Sequence, residues 1–179
     1  DLSKTNKENY NAADLAIIYG YWISSEILID AGIWPSSPGD LLLRTCISNG
    51  FYNTAALLIK KGIAVVTDDM VDNAPTSAAV SWLSARTQKE IPIETAIMKG
   101  MVDVVEEKLH TITKISWKPF LSIFDEPTNE HCIIVDLLLK NGKADPDEEF
   151  EMYDEGEKVI TWPLFNASKR GRLQMFKVL

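Results

Sequence analysis

Two histidines, two cysteines and one dense run of carboxylates are the residues of this 179-residue chain whose chemistry could reach beyond packing. His110 and His131 each stand alone, with no Cys, His or carboxylate set at ligand spacing around them, so a metal centre of the usual kind is not indicated. Cys132 follows His131 directly, but neighbours in a helix point in different directions, which argues against a thiolate–imidazole pair for nucleophilic catalysis. Carboxylates crowd the stretch 145–157: Asp145, Asp147, Glu148, Glu149, Glu151, Asp154, Glu155 and Glu157. They alternate somewhat as a calcium loop does. Such a loop needs glycine at its sixth position, and counting from Asp145 that position is Phe150. A solvated hairpin extension, or a contact loop for a basic partner, fits the run better. No phosphate-cradling glycine loop and no serine elbow is present. These residues supply no catalytic group, no metal site and no cofactor site, which is the pattern of a chain that is not an enzyme.

Composition narrows the classes further. The net charge is −8, opposite to the basic footprint that non-specific nucleic-acid binding needs. There is no run of ~18 apolar residues, so no membrane span is expected, and no charged-then-apolar leader opens the chain. Val178-Leu179 reads as the middle of a helix, so a piece of a longer chain is expected. Two widely spaced cysteines suit a reducing compartment better than a disulfide framework. The expected location is intracellular, cytoplasmic or nuclear, or a host cytosol for a secreted effector.

The elements that would carry any site are repeated. Gly20 and Gly50 are 30 residues apart, and so are Gly32 and Gly62. Each interval between them is an apolar segment the length of a short helix. Asp40 after Pro38-Gly39 is the expected N-cap of the helix toward Gly50. Further units lead from Pro92 to Gly100, from Pro119 to Asn141-Gly142, and from Trp162-Pro163 to Gly171 and on to Leu179. With each internal glycine as slot ten, slot six reads Ala16, Cys46, Ala96 and Ala167, small residues where helices approach closely. That placement makes Cys46 a packed thiol. The triplets Ile27-Leu28-Ile29, Leu57-Leu58-Ile59 and Leu137-Leu138-Leu139 demand burial on nearly all sides, and one helix pair cannot bury its own apolar face, so copies must stack.

The best-matching residues are Trp162-Pro163-Leu164 with Ala167 and Gly171, Ala16 with Gly20, Val104-Val105, and Leu137-Leu138-Leu139-Lys140-Asn141-Gly142. Through them the chain resembles the ankyrin repeat family. The resemblance implies an all-α solenoid of stacked antiparallel helix pairs joined by hairpin loops. It would form a single domain over 1–179, with repeats near 7–35, 36–66, 87–113, 114–145 and 158–179. Two stretches exceed a ~33-residue period: 67–86, where Ser77–Leu83 reads as one extra helix, and the acidic 146–157.

The same resemblance implies a monomeric scaffold that binds another protein through its concave face and hairpin tips. Slots eight and nine point to that face and read Ile18-Tyr19, Ser48-Asn49, Met98-Lys99 and Lys169-Arg170, changing from apolar to polar to basic. Tyr19 beside Ile18 is a hot-spot candidate. Asp147, Glu148 and Glu149 are the candidate contacts of the acidic insertion. No nucleic-acid, membrane or cofactor partner is implied. Three alternatives stay open: a targeting module of a larger enzyme or effector, a reader of methylated lysine on a basic tail, and purely structural packing inside one large chain. The reader needs two or more of Trp22, Trp34, Trp82, Trp117 and Trp162 around a carboxylate.

Overall fold

The computed structural model describes residues 4–154, 157–169 and 171–179. The chain divides between Glu90 and Ile91 into two compact units. The first contains α1 (Ala12–Ile18), α2 (Trp22–Asp30), α3 (Gly39–Ser48), α4 (Tyr52–Lys60), α5 (Asp68–Asp72) and α6 (Ser77–Thr87). The second contains α7 (Ile93–Met98), α8 (Val102–Lys108), α9 (Leu121–Asp125) with a 3-10 turn before it, and α10 (Asn129–Lys140). After these come strands β1 (Phe150–Asp154) and β2 (Glu157–Thr161), then α11 (Pro163–Lys169) and α12 (Leu173–Val178). Both units are mainly helical.

One turn recurs throughout. Gly20, Gly32, Gly50, Gly62, Gly100, Gly142 and Gly171 all take positive φ, from 63° to 82°. At each, the glycine N–H donates to the carbonyl three residues back and the next N–H donates to the carbonyl five back, the latter at 2.7–2.9 Å. This paired closure satisfies carbonyls that a helix end leaves without partners. After Gly20, Gly50, Gly100 and Gly171 the following residue repeats one conformation, φ −83° to −86° and ψ 60° to 76°, and the second helix starts at once. The residue whose carbonyl takes the five-back bond is Ala16, Cys46, Ala96 or Ala167, and each of these side chains is buried.

In the first unit the helices form layers. Within each pair α1 packs on α2 and α3 on α4, and between pairs α1 packs on α3 and α2 on α4. A Cβ on Gly20 would touch the Phe51 ring at 3.4 Å, so the turns of the two layers lie side by side. The stretch after Gly62 holds a third, reduced pair rather than the single helix expected. Asp69 of α5 bonds Arg44 of α3 at 2.7 Å, and Trp82 of α6 stacks on Tyr52 of α4 with ring centroids 5.6 Å apart. The second helix of that pair was legible as Ser77–Leu83; the first is only five residues long and is anchored by buried Met70 and Val71.

The loop joining α2 to α3 is held by the start of α1. Asn11 caps the helix, and its amide donates to the Trp34 carbonyl (2.7 Å) and the Ser36 hydroxyl (3.1 Å). The buried Asp14 carboxylate accepts from the backbone N–H of Asn11, Ser36 and Ser37, each at 2.9 Å. Asp40 does not cap α3. Pro38 occupies that position, and Asp40 sits in the first turn paired with Arg44 at 3.2 Å.

In the second unit α10 packs on α7, α8 and α12, while α11 packs on α9 and α12. The departure from an all-α expectation is the acidic insertion, where β1 and β2 pair antiparallel from Phe150↔Thr161 to Asp154↔Glu157. Phe150 and Thr161 are buried at the root, and Lys158 bridges Glu151 across the strands at 2.7 Å. Below the root, Trp117 is wholly buried. Its backbone N–H reaches Glu148 (2.8 Å), its indole N–H reaches the Asp145 carbonyl (2.7 Å), and its ring meets Phe124 edge-on.

Stability measurements at three residues test these contacts. Gly50→Ala, with open space around its Cβ but φ +75°, should cost about 1 kcal/mol by urea unfolding, and Gly50→Asn about half of that. Gly39→Ala should also destabilise, although alanine favours helix, because its Cβ would collide with the Ile63 carbonyl. A neutral Gly39→Ala would contradict that packing. Asp14→Ala strands three backbone N–H groups and should cost about 3 kcal/mol; a loss under about 1 kcal/mol would show that the α2–α3 loop is held some other way.

Candidate functional site

The slot-eight and slot-nine residues sit at the ends of the first helix of each pair, beside the glycine turns. In the first unit the expected exposure is present. Ile18, the last residue of α1, is 38 % exposed and Tyr19 is 68 % exposed. Ser48 and Asn49 hold the same places at the end of α3 and are exposed. The Asn49 amide donates to the Thr45 carbonyl at 2.8 Å, which completes the helix end and fixes the side chain. Because α1 packs on α3 and their turns adjoin, Ile18, Tyr19, Ser48 and Asn49 form one edge. Tyr21, Trp22, Ile23 and Ile27 extend the exposed apolar surface from the turn onto α2.

In the second unit the equivalent positions serve packing as well. Met98 is half-buried; its sulfur faces the Ser122 hydroxyl at 3.8 Å and its carbonyl meets His131 Nε2 at 3.2 Å. Lys99 is half-buried, and Lys169 is exposed and engaged by a neighbour. Arg170 and Glu155 lie outside the described residues. A Cβ on Gly100 would meet Glu130 and Thr128 at the start of α10, and a cleft joins that start to Gly171, Arg172 and Gln174. The turns of this unit therefore also form a row.

The acidic candidates divide. Asp147 and Glu149 are exposed, whereas Glu148 is half-buried and spends one oxygen on the Trp117 N–H. Asp147 itself donates its N–H to the Asp145 carboxylate at 3.0 Å, so the approach to β1 is an ordered turn.

His131 has a structural role that its isolation in sequence concealed. Thr128 N–H donates to its Nδ1 (3.1 Å), so the opposite nitrogen carries the proton and donates to Met98. The ring thereby closes the N-terminus of α10 and ties it to α7. Beside it, the exposed Glu130 carboxylate is held below the usual carboxylate range by its own backbone N–H and by the Thr128 hydroxyl. The Arg44 guanidinium is pushed up by its bonds to Asp69 and Asp40. Burial pushes the Cys46 thiol up to about 12, and the half-buried Cys132 thiol is raised for the same reason. Both shifts oppose thiolate formation, so neither cysteine is activated as a nucleophile. Among the described residues no group of three His, Cys, Asp or Glu could hold a metal ion, and no helix is long and apolar enough to cross a membrane.

The tryptophans take different roles. Trp117 is core. Trp82 stacks on Tyr52 and carries the Arg86 guanidinium 3.5 Å from its ring centre. Trp162 leans on Phe165, and Trp34 is exposed. Trp22 lines a cleft of about 290 Å³ with Phe51, Tyr52 and the Glu26 carboxylate. Sequence reasoning missed this cleft because its walls come from two helices some 30 residues apart.

No family model matches the chain, and neither curated proteins nor solved structures show a significant similarity to it.

The thiols give a direct check on the burial described here. At pH 8 the thiolate fraction of Cys46 should be on the order of one in ten thousand. Iodoacetamide should therefore label Cys132 in the native protein and reach Cys46 only on unfolding. Equal native labelling rates, read by peptide mass spectrometry, would contradict a packed Cys46.

Proposed function

We propose that the chain is an ankyrin-repeat-like scaffold that binds another protein and does no covalent chemistry of its own. The exposed edge of the first unit supports this most directly. Ile18 and Tyr19 stand out from a helix end whose backbone is closed by two hydrogen bonds, beside Ser48 and Asn49 on the packed neighbour. A large ring held on a rigid turn loses little freedom on binding, so most of its burial becomes affinity. Apolar surface kept exposed on a structured edge marks an interaction site. The recurring turns and the pair-on-pair packing support the repeat reading, and the turns of the second unit offer a further row at Met98, Lys99 and Lys169.

The test places a photo-crosslinking amino acid at position 19, and in a second protein at Lys60, an exposed residue at the end of α4. A discrete partner should crosslink from position 19 and not from position 60. With that partner in hand, Tyr19→Ala should weaken binding about tenfold or more while leaving the melting temperature unchanged. Equal crosslinking from both positions, or full affinity of Tyr19→Ala, would remove this edge as the site.

A further inference from the structure

Glu26 differs from the other carboxylates around it. In the first unit Asp30 pairs with Lys61, Asp40 and Asp69 with Arg44, and Asp72 with Lys89, all within 3.2 Å. Glu26 is half-buried and accepts a hydrogen bond from the hydroxyl of the buried Thr54 at 3.2 Å. Among the described residues no Lys, Arg or His stands within salt-bridge distance of it. It faces the cleft of about 290 Å³ whose other side chains include Trp22, Phe51 and Tyr52. A carboxylate without a counter-ion beside aromatic faces is a cation's environment, since the ring quadrupole and the carboxylate attract the same sign of charge. The aromatic wall holds a cation close by: Trp82, stacked on Tyr52, carries Arg86 at 3.5 Å.

An opposing field has to be weighed. The cleft also touches the first residues of α4, whose end bears about half a positive charge. The full negative charge of Glu26 outweighs it, so the site keeps its preference but binds weakly. We propose that the cleft between α2 and α4 takes a cationic side chain, lysine or arginine, from a basic segment of another protein. Residues Ile18 and Tyr19 are not part of this cleft, so this site and the edge at Tyr19 stand or fall separately.

The full chain, labelled with ¹⁵N, is titrated with short Gly-Ser peptides carrying two lysines, two arginines, or two norleucines as neutral isosteres. The Trp22 indole N–H signal and the fitted Kd are read. The lysine or the arginine peptide should move the Trp22 signal, the tighter of them naming the side chain, and norleucine should bind at least about fivefold more weakly. Trp22→Ala and Glu26→Gln should each weaken the cationic peptide about fivefold. The second variant is isosteric and keeps an acceptor for Thr54. Glu106→Gln makes the same charge change at an exposed residue of the other unit and should alter nothing. Equal binding of norleucine would make the cleft merely apolar. Equal effects of Glu26→Gln and Glu106→Gln would reduce the attraction to the chain's net charge. Absence of any Trp22 shift at millimolar peptide would also overturn the site.

Discussion

The hydrogen bond from the residue after each glycine back to the carbonyl five positions earlier is the constraint on which the rest depends. It closes one helix and aims the next in a single step. Tyr21, Phe51 and Met101 then open their helices with no side-chain cap, because the turn already fixes their direction. The helices that open this way are short, from 6 to 9 residues, and isolated helices under ~12–15 residues are marginal in water. They persist only by packing. The small side chains at Ala16, Cys46, Ala96 and Ala167 permit that packing at the very residues whose carbonyls close the turns. At these four turns one position thus satisfies a backbone demand and a steric one.

That coupling also explains what could be read in advance. A left-handed residue after a helix has a local signature, glycine, so the turns and the pairing they impose were visible as spacing. The Asn11–Asp14 capping box has a signature too, an Asn with an acid three residues later before an apolar run. Other features have no local trace. Trp117 finds Asp145 and Glu148 across 28 and 31 residues, and His131 finds Met98 across 33. The β1–β2 hairpin was hidden differently. Its strands carry enough carboxylates to read as solvated loop, while Phe150 and Thr161 at the root are buried.

Equivalent slots did not keep equivalent roles. Ile18 is exposed, whereas Met98, in the corresponding slot, is drawn toward α9 and α10. The cause lies in the following pair rather than in Met98. In the first unit the next layer brings Phe51 against Gly20, an apolar contact that leaves the helix end bare. In the second, α10 opens with Thr128 and His131, and the imidazole needs an acceptor, which the end of α7 supplies. A column of residues in a degenerate repeat therefore marks a place in the backbone. The chemistry of that place is set by the layer packed against it.

Charge cannot account for selectivity in such a chain. The exposed pairs, such as Lys140 with Asp136 and Lys158 with Glu151, contribute about 0–1 kcal/mol each and weaken with salt. A net charge of −8 speeds the approach of any basic partner without choosing among them. Choice requires groups whose interactions survive screening. These are apolar or aromatic surfaces on a fixed backbone, and carboxylates withdrawn from bulk water. The first unit has both: the bare ring of Tyr19 at a closed turn, and Glu26 beside Trp22 on α2 and facing Tyr52 on α4. Both depend on the same two glycine turns, at Gly20 and Gly50, so the geometry that builds the fold is also the geometry that holds these surfaces in place.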